Sequence, residues 1–121
     1  MRSKISLVLF FIIIALMAAK ILTTPVFAHQ LSVFAYVEGQ TLVVEGTLAG
    51  NKRPKKGIVY VYDGEEKLIA KKEISPDGTA KLPLPESKTG LKIIMSVGEG
   101  HESYWILTPL DIENQRKEYK K

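Results

Sequence analysis

Two histidines, His29 and His101, are the side chains of this sequence best suited to holding a ligand, and no cysteine is present to compete with them. His101 directly follows Gly98-Glu99-Gly100, and Glu102 comes next. His29 follows Val26-Phe27-Ala28, which sets a small aliphatic and an alanine at the two positions a signal peptidase inspects. Cleavage after Ala28 makes His29 the first residue, with a free α-amine beside its imidazole. Amine and Nδ1 can then close a chelate on one metal ion, and the amine is weakly basic enough to lose its proton to a metal at neutral pH. An internal histidine cannot do this. His101, with Glu99 or Glu102, would complete a nitrogen-rich set of roughly three or four ligands. Imidazole and amine suit nickel, cobalt, copper and zinc, and raw affinity favours copper. The plainer account is that both histidines are polar residues at exposed strand starts, with Glu99 and Glu102 solubilising a turn.

Other chemistry has little to stand on. No Ser-His-Asp constellation can be placed, no glycine-rich loop follows a strand and opens a helix, and no paired carboxylates occur in a recognisable setting. Gly98-Glu99-Gly100 lies between two strands, which is the wrong context for a nucleotide. The expectation is a protein that is not an enzyme.

The elements that must position these residues begin with an export signal. Arg2 and Lys4 precede an apolar run from Ile5 to Ala19, which Lys20 closes. A basic start, an apolar run of about 7–15 residues and a small-residue exit describe a secretory signal. Spanning a bilayer takes roughly 20 apolar residues, so the run is short for a permanent anchor, although Ile21 and Leu22 extend it past Lys20. Residues 1–28 are therefore read as a signal peptide, with an uncleaved membrane anchor over 5–22 as the alternative. The rest of the chain is placed outside the cytoplasmic membrane, periplasmic or extracellular.

The signal holds three basic residues and no acids, so of 17 basic and 13 acidic side chains, 14 and 13 remain. Near-neutrality argues against a nucleic-acid partner, which a basic patch would announce. The one concentration of positive charge, Asn51-Lys52-Arg53-Pro54-Lys55-Lys56, reads as a solvated loop that could also touch a membrane surface.

From Gln30 to Thr108 the chain reads in period two, the signature of strands. Leu31, Val33, Ala35 and Val37 share one face, and Leu42, Val44 and Leu48 line the core side of a second strand with Val43, Glu45 and Thr47 opposite. Ile58-Val59-Tyr60-Val61-Tyr62 is a central strand by composition. Leu68, Ala70 and Ile74 mark a fourth. Ala80, Leu82 and Leu84 mark a fifth, which Pro83 and Pro85 confine to an edge or an early end. Leu91, Ile93, Met95 and Val97 form a sixth, and Tyr104-Trp105-Ile106-Leu107 a seventh. Gly39, Asp63-Gly64 and Ser75-Pro76-Asp77-Gly78 supply turns. The prediction is an all-β, seven-stranded Ig-like sandwich over residues 29–110, followed by a charged tail at 111–121, frayed or disordered. First and last strands of such sandwiches often run side by side in one direction, which would bring both histidines to one end.

Ala28-His29-Gln30-Leu31-Ser32-Val33-Phe34-Ala35-Tyr36-Val37-Glu38-Gly39 resembles the opening of the small exported accessory subunits of nickel and cobalt uptake transporters of the energy-coupling-factor ABC type. Val97-Gly98-Glu99-Gly100-His101-Glu102-Ser103-Tyr104-Trp105 is similar to that family's glycine–acid–glycine–histidine segment and following tryptophan. The middle, Val59 to Gly78, resembles a carboxypeptidase-regulatory-like (transthyretin-like) module. The resemblance implies a role beside a membrane permease that admits Ni²⁺ or Co²⁺, with metal held at His29 and His101. Two departures stand out: Ala49-Gly50-Asn51-Lys52 replaces a glycine-rich stretch, and the charged tail stands where many members carry a second membrane helix. Two rivals come from the residues alone. One is an interaction module that docks on a membrane partner without metal, and the other is a Cu²⁺ protein using an N-terminal histidine.

Overall fold

Alternating apolar residues build seven strands in the computed structural model, which describes residues 2–22 and 31–120, with side chains of the first helix described over 4–17. The strands are β1 (Ser32–Glu38), β2 (Thr41–Thr47), β3 (Ile58–Asp63), β4 (Leu68–Glu73), β5 (Thr79–Pro83), β6 (Leu91–Ser96) and β7 (Glu102–Leu107). Helix α1 (Arg2–Leu22) precedes them and helix α2 (Pro109–Lys120) follows. Two antiparallel sheets, ordered β1-β2-β5 and β4-β3-β6-β7, face each other. This is the seven-stranded sandwich that the alternation predicts.

The core lies between the sheets, where Val33, Ala35, Val37, Leu42 and Val44 meet Val59, Val61, Ile93, Met95 and Leu107. Each of these side chains other than Ala35 is worth about 1.5–3 kcal/mol on burial. With no disulfide available, this layer is the main cohesion of the domain. β5 is an edge strand and stops at Pro83, as the missing N–H groups of Pro83 and Pro85 require. Gly39 takes φ +61° in the two-residue hairpin between β1 and β2, and Gly78 takes φ +82° after Asp77.

Two placements differ from the sequence reading. The β3–β4 ladder slips at Val61/Tyr62, so Ile69 turns toward the core and Leu68 is left exposed. A bulge shifts the side-chain alternation by one residue. Val43 faces outward as expected yet is buried, because it sits in the central strand of its sheet between Tyr36 and Lys81.

The segment expected to be a frayed helix or disordered is a docked helix. Thr108 caps it: its Oγ1 accepts the Asp111 N–H at 3.1 Å, and its own N–H donates to Asp111 Oδ2 at 2.9 Å. Proline at the first helical position completes this start signal. Ile112 packs on the core, and Gln115 Oε1 accepts the Val37 N–H at 2.8 Å on the outer edge of β1. The helix thus satisfies a donor that the sheet leaves unpaired.

Hydrogen bonds from the Thr108 backbone and hydroxyl hold the Asp111 carboxyl below the usual carboxylate range. A depressed folded-state value means the contribution is present above the unfolded value and fades as pH falls through the folded one. Acidification below about pH 4 is therefore expected to loosen α2 before the sandwich, read as faster amide exchange at Ile112 and Val37. Simultaneous loss of protection in α2 and β6 would remove Asp111 from that role.

In α1, the large apolar side chains from Ile5 to Met17 are all exposed, none less than 47%. Among the described residues no helix is long and apolar enough to cross a membrane.

Candidate functional site

Strand directions gather the loops into two ends. Ser32 pairs with Thr47, so β1 begins where β2 finishes. Ile58 pairs with both Glu73 and Ser96, and Ser96 with Glu102, so β3 and β7 begin where β4 and β6 finish. The two sheets share this end, because Leu48 and His101 line one open cleft of about 840 Å³. β1 and β7 therefore run side by side in the same direction. Phe34 and Trp105 meet edge-to-face across their seam, with ring centroids 5.0 Å apart.

His101 is presented by a tight turn. Its N–H donates to Gly98 O at 2.9 Å, and its carbonyl accepts the Val97 N–H at 3.0 Å. Gly98, Glu99 and Gly100 take φ of +90°, +52° and +77°. Three successive left-handed residues explain the G-x-G pattern: glycine adopts that region freely, and Glu99 is held in it by its neighbours. The pattern is a device for reversing the chain and aiming His101.

The candidate ligands are separated by this geometry. Glu99 and His101 line the same cleft. Glu102 does not. It pairs with Ser96 on the outer face of the larger sheet, in a row with Ile58 and Glu73. His29, the proposed cleavage point and the amine chelate lie outside the described residues. Leu31, where the description resumes, stands at the same end as His101. Among the described residues no group of three or more His, Cys, Asp or Glu could hold a metal ion.

The sequence reading missed the company His101 keeps. Lys52, Lys55 and Lys56 line its cleft. The β2–β3 connection has to cross between the sheets at this end, and a bridge between Leu48 and Lys52 starts that crossing. Counting strand directions would have revealed it. The ammonium groups raise the local potential, which opposes a bound cation unless anionic or neutral donors outweigh them. Glu99 supplies one negative charge.

Groups with displaced proton affinity elsewhere serve turns and packing. Hydrogen bonds from the Thr79 hydroxyl and N–H draw the Asp77 carboxyl down. Burial, with the Glu45 and Glu38 carboxylates nearby, pushes the Tyr36 phenol up and keeps it a donor to Glu45 at 3.4 Å.

No family model matches the chain, and no curated protein matches it.

Proposed function

We propose that the sandwich is a non-enzymatic, extracytoplasmic accessory component of a nickel or cobalt uptake transporter, which binds the divalent ion and presents it to a membrane permease. The observation supporting this reading is that the chain enters β1 at the end of the sandwich where the Gly98–Gly100 turn presents His101. The reading requires that the amine and imidazole of a processed His29, two positions before Leu31, come within range of the His101 imidazole. Glu99 joins as the carboxylate of the cleft; Glu102, on the outer face, is left out of the set. Nitrogen donors of this kind suit Ni²⁺ and Co²⁺, and they bind Cu²⁺ at least as tightly.

The test is a Ni²⁺ titration of the processed protein beginning at His29, beside the same protein carrying one extra N-terminal residue. The extra residue removes the α-amine from its chelating position and leaves every side chain in place. Tight binding by the first form that weakens by roughly tenfold or more in the second supports metal capture; that size follows what even an outer-shell change costs a metal site. Equal binding by both forms rules out the amine chelate.

A second reading has an observation of its own. The outer face of the larger sheet carries Tyr60, Ile94 and Tyr104 in one row, with Tyr62 and Ile106 in the next. Tyr104 and Ile106 are exposed. A docking module without metal would use such a face, and absence of binding in both titrations would favour it.

A further inference from the structure

Among the described residues nothing covers the outer face of the larger sheet; α2 packs along β1 instead. Three rows of four residues stand on this face. The first, at the end where β3 and β7 begin, is Glu73, Ile58, Ser96 and Glu102. Lys71, Tyr60, Ile94 and Tyr104 make the second, and Leu68, Tyr62, Lys92 and Ile106 the third. None of the twelve is buried, and seven are aliphatic or aromatic. The solvated face of an antiparallel sheet ordinarily alternates to polar residues. With strands about 4.8 Å apart and rows about 6.7 Å apart, the face covers about 400 Å², the size of patches that mark interaction sites.

Its charges balance, and they are ordered along the strands. Both acids, Glu73 and Glu102, stand in the first row. Both ammonium groups lie over tyrosines of the second. Lys71 Nζ is 5.5 Å from the Tyr60 ring centroid, and Lys92 reaches from the third row to 5.1 Å from the Tyr104 centroid. The loops beyond carry both signs, Lys55 and Lys56 with Glu99 at one end, Glu65 and Glu66 with Lys67 at the other. The ordering therefore belongs to the face itself. A partner of one charge sign would meet as much repulsion as attraction here. A matching surface must be apolar and carry the same two charged rows in reverse order.

We infer that this face is a self-association surface, whose occupant is a second copy of the sandwich turned end for end about a two-fold axis across the strands. With the axis between the first and second rows, each strand lies over its own counterpart. Glu73 then faces Lys71 of the second copy, Ile58 faces Tyr60, and Glu102 faces Tyr104 with the Lys92 ammonium upon it. Each contact occurs twice, as in any isologous interface. The other two-fold, along the strands, sets Glu73 against Glu102 in two places, and like charges across an interface are costly. Two sheets facing each other at about 10 Å repeat the packing of the sandwich's own core. So small a footprint gives a weak, reversible dimer. The inference names an occupant for the face of the second reading above, and it stands whether or not the cleft holds metal.

Sedimentation of the processed protein beginning at His29, which keeps every strand and the whole core, tests it. A chelator is present, so that no metal bridge contributes. A monomer–dimer equilibrium is expected, half complete near ~0.1 mM. Tyr104→Ser should weaken it by about tenfold, as loss of an aromatic anchor does. Glu73→Lys should also weaken it by about tenfold, because the reversal acts at two contacts. Adding Lys71→Glu to Glu73→Lys exchanges the two charges and should bring the affinity back to within about threefold of the parent. Glu73, Lys71 and Tyr104 are all exposed, and circular dichroism checks that each variant keeps its fold. A protein still monomeric at ~1 mM overturns the inference. So does a dimer indifferent to Tyr104→Ser or Glu73→Lys, which would form elsewhere, or one that Glu73→Lys tightens, which would set Glu73 against an acid. A double variant no tighter than Glu73→Lys alone overturns the end-for-end pairing.

Discussion

An Ile93→Ala variant is expected to melt roughly 10–30 °C below the parent protein, whereas Ile94→Ala, one residue along, should cost only a few degrees. Ile93 is fully buried, paired with Val61 on β3 and Trp105 on β7. Truncation to alanine loses the transfer energy of the removed carbons and leaves a cavity that the sandwich can only partly close, together about 2–5 kcal/mol. A domain of this size holds about 5–15 kcal/mol in all, and this one has no cross-link in reserve. Ile94 points to the opposite side, between Tyr60 and Tyr104, and is half-buried. A one-residue slip of β6 would exchange the two faces and reverse the outcome. Thermal unfolding followed by circular dichroism decides it, and a larger loss for Ile94→Ala would refute the register of the central strand.

The faces of most strands were legible in the sequence because period-two alternation is a direct record of which side is buried. Ala35, Leu42 and Ile93 are all inward, as the pattern says. Turns were legible where a residue type is forced by backbone geometry, as at Gly39 and Gly78. The pattern failed at Leu68 and Ile69 because a bulge shifts the alternation, and the slip leaves no mark in residue type. Helix α2 was under-read for another reason. Its polar composition suggests too little burial to order it, but one apolar residue, Ile112, and one side-chain bond from Gln115 suffice once the cap at Thr108 fixes the start. Thr108-Pro109-Leu110-Asp111 is a readable helix-start signal, and placing the tail boundary after it hid the signal.

The candidate site was legible only as a pair of histidines. Its electrostatics were not, since Lys52 and His101 are far apart in sequence and meet only through the crossing of the β2–β3 connection. Likewise Glu102 looked equivalent to Glu99, but strand alternation sends it to the outer face. Neighbours in sequence on a strand point to opposite sides, so Glu102 was the weaker candidate even before the fold was known.

Two substitutions at the cleft should move Ni²⁺ affinity in opposite directions. His101→Ala removes an imidazole donor, and binding by the processed protein is expected to weaken by at least the ~10–100-fold that loss of an outer-shell partner costs a metal site. Replacing Lys52, Lys55 and Lys56 together by glutamine should instead tighten it, by about tenfold at low salt. An ammonium and a divalent ion about 8 Å apart in water repel by about 1 kcal/mol, and three such terms, partly screened, sum to that factor. The gain should shrink as salt is raised, while the His101→Ala loss should not, because a coordinate bond is insensitive to screening. The pair of variants is informative because neither effect alone locates the ion: any unfolding weakens binding, but only an ion held within this cleft gains from removing its lysines. Isothermal titration of both variants at two salt concentrations makes the comparison. A lysine-free cleft that binds Ni²⁺ no better than the parent would move the ion away from His101, and the Gly98–Gly100 turn would then be a strand connection with no part in metal capture.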